Sequence, residues 1–200
     1  KITGGTINIT CQADAIEAND SIRICGGDIT ISTPKDGLHC ENDDDDTVGY
    51  IYICGGTFDI TAGDDGIHAT TICQIDDGEF TITASEGIEA TYVQINGGDI
   101  NITASDDGIN AGRKSKSISV VIEINGGYTT IVMGAGDTDG IDSNGNLYIN
   151  GGTVDVTANS PFDYDGTAEY NGGTIIVNGV ETNTITNQFG GGMGGMGGMY

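Results

Sequence analysis

Residues 55–69 read GGTFDITAGDDGIHA, and most of the chain repeats that pattern with small changes. Two glycines precede apolar residues at alternate positions (Phe58, Ile60). A small residue, an acidic turn and a second apolar pair (Ile67, Ala69) follow. The order recurs at GGTINITCQADAIEA (4–18), GGDITISTPKDGLHC (26–40), DGEFTITASEGIEA (77–90) and GGDINITASDDGINA (97–111), and more loosely from Gly126 and Gly151. The repeats open at 4, 26, 55, 77, 97, 126, 151 and 172, in steps of 22, 29, 22, 20, 29, 25 and 21 residues. A recurrence of this length dictates stacking, because one repeat cannot bury its own apolar face.

Each repeat carries three short alternating pieces, such as 7–9, 16–18 and 22–24 in the first. Period 2 marks a strand with one buried side. The spacing predicts an all-β chain: a parallel β-helix of three short strands per coil, about eight coils and no capping helix. It would form one domain over 1–189, followed by a Gly/Met-rich tail at 190–200. Stacking sets Ile7, Ile29, Phe58, Phe80, Ile100, Thr129, Val154 and Ile175 in one inward column. Ile16, Leu38, Ile67, Ile88, Ile109 and Ile141 form another. Asn96, Asn125, Asn150 and Asn171, just before the glycine pairs, suit an amide ladder at a corner.

The balance of 30 Asp+Glu against 6 Lys+Arg, a net charge of −24, excludes nucleic acid and anionic membrane surfaces as partners. No apolar run reaches the roughly 20 residues of a membrane span, so no insertion is expected. The chain opens at Lys1 without Met or leader, as a processed or trimmed segment would.

The turn acids Asp14, Asp36, Asp65, Glu86, Asp107 and Asp139 fall in one column, flanked by Asp64, Asp106 and Asp137. Two unit charges about 4.8 Å apart repel by roughly 3 kcal/mol at an effective dielectric near 20. Six basic residues are too few to neutralise the column, so a divalent cation is expected, and calcium suits oxygen donors. The alternative is that these acids cap turns and face screening water. The run 42–46 (NDDDD) is either a further cation site or a solvated loop.

Cys25 and Cys54 occupy equivalent positions in successive repeats, within disulfide reach, and a bridge is expected. Cys11 and Cys40 either pair or fill space, and Cys73 replaces a buried aliphatic residue. His39 and His68 share an outward column with Glu17, Glu89, Asn110 and Asp142 and read as surface residues softening an acidic face, the alternative being a metal or catalytic pair. Tyr50, Tyr52, Tyr92 and Tyr148 project outward from the third strands, suited to stacking on sugar rings or to lateral contacts between molecules. Threonines such as Thr30, Thr61, Thr81 and Thr103 line the outer side of the first strands.

The repeat GG-x-I-x-I-T-A-x-x-D-G-I-x-A, with a Gly/Met-rich terminus, resembles the secreted, polysaccharide-lyase-like β-helix proteins of clostridia, which bind carbohydrate and calcium. The resemblance covers roughly residues 4–168 and the tail. It implies a right-handed helix, binding to cellulose or pectic polymers, and calcium at Asp64, Asp65, Glu86, Asp106, Asp107 and Asp139. Asp36 joins these candidate metal ligands through the column alone. Only Arg113, Lys114 and Lys116 supply base chemistry near the acidic turns, in one irregular loop, so the chain reads as non-enzymatic.

Two functions follow. The leading expectation is an extracellular or cell-surface structural protein, calcium-bound, stacking head to tail through open β-helix ends into a fibre. The alternative is a monomeric module that binds plant cell-wall polysaccharide, cellulose or pectic polymers.

Overall fold

The computed structural model describes residues 1–42, 44–136 and 138–187. Asp137 and the tail expected at 190–200 lie outside the described residues. Alternating apolar positions do become strands. The described residues form one sheet of nineteen strands, with no helix.

Strands pair with their counterparts one repeat on. Thr6 lies beside Asp28, Asp28 beside Thr57, and Glu79 beside Asp99, all in parallel register. That register puts Ile67, Ile88, Ile109, Ile141 and Phe162 side by side on the second strands, all buried. Phe58 and Phe80 stack on the first strands at 4.5 Å between ring centres, planes 2° apart. Each fully buried Ile or Phe contributes about 1.5–3 kcal/mol relative to exposure, which is how a chain with 36% hydrophobic residues closes a core. The first repeat is thinner, and Ile7, Ile9 and Ile16 are only half-buried.

The expected right-handed parallel β-helix with three short strands per coil requires correction. The sheet is a curled half-barrel of mixed strand orientation. Two features account for the difference. Backbone stays extended through several corners, so pieces read as separate strands fuse into Tyr50–Ala62, Asp65–Ala84 and Glu86–Ile95. At the C-terminal end the chain reverses through Asn178 and Gly179, with φ of 51° and 78°. Two positive φ values in a two-residue loop turn the strand back on itself. Thr174–Val177 therefore pairs antiparallel with Val180–Thr182. This hairpin covers the edge of Thr174–Val177.

One glycine column fixes how tightly the repeats approach. A Cβ on Gly66 would lie 2.6 Å from the Gly87 carbonyl oxygen, and one on Gly37 would lie 2.6 Å from that of Gly66. Only glycine fits there, immediately after the acidic residue of each turn. The turn acids are thus held at a fixed corner.

Candidate functional site

Two surfaces carry chemistry, and the disulfide lies beside the first. Cys25 and Cys54 are bonded, Cα atoms 4.6 Å apart, at the end of the third strands. Cys11, Cys40 and Cys73 are free thiols, the last two buried.

The first surface is the outer side of the third strands. Parallel register aligns Arg23, Tyr52, Gln74, Gln94, Glu123 and Tyr148 in one row. Tyr50 and Tyr92 stand in the row beside it. Tyr50 and Tyr52 run nearly parallel, ring centres 6.3 Å apart and planes 9° apart, and the Arg23 guanidinium lies 5.1 Å from the Tyr52 ring centre. Both hydroxyls are anchored: Tyr52 donates to Asp76 Oδ2 at 2.6 Å and Tyr50 to Gln74 Oε1 at 3.3 Å. Tyr92 donates to Glu123 Oε2, which also accepts from Gln94 Nε2. Hydrogen bonds from Asn96 and Tyr52 hold the Asp76 carboxyl below its usual range. The four tyrosines are half-buried. Along the adjoining corner Asn125 donates to Asn96, Asn150 to Asn125 and Asn171 to Asn150, each at 2.8 Å. The amide ladder keeps the edge of this face straight.

The second surface is the acidic corner. Three turn acids cap the next repeat: Asp36 N–H donates to Asp14 Oδ1 (3.1 Å), Asp65 N–H to Asp36 Oδ1 (2.9 Å) and Asp139 N–H to Asp107 Oδ1 (3.3 Å). Of the candidate metal ligands, Asp36 and Asp65 are buried, and Glu86, Asp107 and Asp139 are half-buried. Asp64 and Asp106 are exposed at the rim. Carboxylate oxygens of Asp36, Asp64 and Asp65 converge within 4.8 Å.

The corner has two chemically different halves. In the lower half, Asp36 Oδ2 meets His39 Nδ1 at 2.5 Å and Asp65 Oδ2 meets His68 Nδ1 at 2.8 Å. Glu89 Oε2 is 2.9 Å from the same His68 nitrogen, and Glu89 Oε1 is 2.5 Å from Lys114 Nζ. The imidazoles stack at 4.9 Å, planes 16° apart. His39 and His68 are therefore not the exposed residues their outward column suggests; His68 and Glu89 are buried. Burial alone would pull His68 down, but Asp65 and Glu89 outweigh it and raise its pKa to about 10. Burial also works against ionised Glu89, yet hydrogen bonds from His68 and Lys114 hold its pKa low.

The upper half contains oxygen donors without a basic partner. Burial and the Glu89 charge push Glu86 up to about 8. Burial with Asp106 and Asp139 brings Asp107 to about 6, and burial with Asp107 and Asp163 brings Asp142 to about 7. Asn110, whose amide donates to Glu86 Oε2 at 3.0 Å, has a buried carbonyl oxygen with no partner. Among the described residues the all-carboxylate group whose oxygens converge is Asp36, Asp64 and Asp65, and these could hold a hard cation; no such group forms at Glu86, Asp107, Asp139 and Asp142.

Residues 1–138 match the family model described as carbohydrate-binding domain-containing protein. The chain belongs to this family. The matched region includes Tyr50, Tyr52 and Tyr92 and ends before Tyr148, so most of the aromatic face lies within it. No curated protein and no solved structure matches the chain.

Column arithmetic did not reveal how the two insertions close over the lower half. The loop at 41–49 supplies Glu41, and the loop at 112–120 supplies Lys114. The loops touch where Lys116 N–H donates to Asp46 Oδ2 at 3.0 Å. Lys114 and Ser115 N–H groups both donate to Thr91 Oγ1, which pins the second loop. The sequence signal available was the spacing D-G-x-H, present in two successive repeats (36–39 and 65–68) and in no other.

Proposed function

We propose that the chain is a non-catalytic, extracellular polysaccharide-binding module whose tyrosine face docks a sugar polymer. One observation carries the reading: Tyr50 and Tyr52 are held nearly parallel on the outer side of the third strands, with amide and carboxylate groups beside them. Sugar rings present C–H faces that stack on aromatic rings and equatorial hydroxyls that need donors and acceptors beside them. Gln74, Asp76, Gln94 and Glu123 offer both. Aromatic, amide and carboxylate groups follow one another along the row at the spacing of the repeats, so a polymer running across the strands meets one of them at each step.

Charge selects among polymers. With Asp76 and Glu123 on the face and a net charge of −24, a polyuronate is repelled unless a cation bridges it, whereas a neutral glucan is not. Cellulose is therefore the favoured ligand, and pectic polymers bind only through calcium. Calcium held by Asp36, Asp64 and Asp65 would neutralise the acidic corner where their oxygens converge. The Cys25–Cys54 bridge supports an oxidising, extracellular location. Pull-down on cellulose and on polygalacturonate, each with calcium and with EDTA, tests this. Retention on cellulose supports the proposal; passage through every matrix overturns it.

A further inference from the structure

The tyrosine face holds one charged group that the protein itself does not engage. Asp76 accepts hydrogen bonds from Tyr52, Gln74 and Asn96, and Glu123 accepts from Tyr92, Gln94 and Asn150. Both carboxylates are therefore occupied by donors of their own sheet. Arg23 differs. It is exposed at the first-repeat end of the row, and its guanidinium enters no hydrogen bond or ion pair among the described residues. Its contact is with the Tyr52 ring, 5.1 Å from the ring centre. A guanidinium presents its N–H donors in a planar fork that matches a carboxylate, and it can lie against an aromatic ring while that fork stays free. Negative charge in the same row stands well away. The register runs from Arg23 through Tyr52, Gln74 and Gln94 to Glu123, four strands on. At about 4.8 Å per strand that is roughly 19 Å, more than twice the screening length of about 8 Å at physiological salt. An anion beside Arg23 is screened from Glu123, whereas a polymer with an acid on every ring sets one against Glu123 as well.

We infer that Arg23 gives the tyrosine face its charge specificity: it takes a carboxylate carried as an isolated substituent on an otherwise neutral glucan, while Tyr50 and Tyr52 hold the neutral rings beside it. The ligand class is a sparsely acidic polysaccharide, distinct from both a plain glucan and a polyuronate. The inference rests on the sugar-binding reading of the same face and adds the substituent that the face selects.

The test is isothermal titration of the wild-type chain and Arg23→Gln with two soluble polymers of one backbone, hydroxyethyl cellulose and sparsely carboxymethylated cellulose, in EDTA to prevent bridging by calcium. Arg23→Gln should weaken binding to the carboxymethylated polymer at least about fivefold more than binding to the neutral one, the scale of one exposed charge-assisted pair. Arg23 is exposed, and a melting curve confirms that the variant folds. Equal losses on the two polymers, or no loss on the carboxymethylated one, overturn the inference alone, because wild-type binding to hydroxyethyl cellulose still stands. A wild-type chain that binds neither polymer overturns the sugar-binding reading and the inference with it.

Discussion

Lys114 Nζ sits 2.5 Å from Glu89 Oε1, and the Glu89 carboxylate is buried. The second insertion is thus fastened to the corner by a charge pair whose acid has little water. Removing one partner of such a pair costs more than the pair contributes, because the remaining charge stays buried. Lys114→Met should lower stability by about 1–3 kcal/mol, less than for a fully buried pair because the lysine is partly exposed. Lys114→Arg should recover most of that loss. Urea unfolding monitored by circular dichroism measures both.

The acids of the upper corner, together with Asp65 and His68 below them, make the metal-free protein less stable as pH rises. Glu86, Asp107 and Asp142 have folded pKa values of about 8, 6 and 7, above those of ordinary carboxyls. The folded state therefore binds more protons than the unfolded state between about pH 4 and pH 8. Stability from these groups is fully present below the unfolded pKa and is lost as pH rises through the folded values. In EDTA the melting temperature should fall by roughly 5 °C between pH 5 and pH 8, after discounting for solvent screening. Calcium should restore it, with a larger gain at pH 8 than at pH 5. Differential scanning calorimetry at the two pH values, with and without calcium, reads the four numbers.

The disulfide closes a separation of 29 residues between adjacent repeats. Constraining a loop of that size removes unfolded-state entropy corresponding to about 3–4 kcal/mol. The double variant Cys25→Ser/Cys54→Ser should lose close to that amount while keeping the same strand content by far-UV circular dichroism.

The parts of the fold legible from sequence are those governed by period. Ile67, Ile88 and Ile109 could be set side by side because burial on a pleated sheet has period 2 and the repeats have near-constant length. The Asn96–Asn125–Asn150–Asn171 ladder followed from the same counting. Orientation at the C-terminal end was also written in the chain, since Asn178-Gly179 is a strong hairpin signal. The repeat pattern, carried through that point, assigned it no turn. Glu41, Lys114 and the burial of His68 were not legible, because insertions break the period and their side chains reach the corner through tertiary closure. His39 and His68 looked outward by strand alternation and do point outward from the sheet. Loops that belong to no column cover them.

The most direct test of the central claim is the affinity of the tyrosine face for the polysaccharide retained by the wild-type chain. Isothermal titration with a soluble oligosaccharide of that polymer should show Tyr50→Ala/Tyr52→Ala binding at least about tenfold more weakly, since stacked aromatic anchors carry a disproportionate share of recognition. Thr81→Ala, at an exposed position on the first-strand side, should bind like wild type. Undiminished affinity in the double tyrosine variant, or an equal loss in Thr81→Ala, would contradict the account.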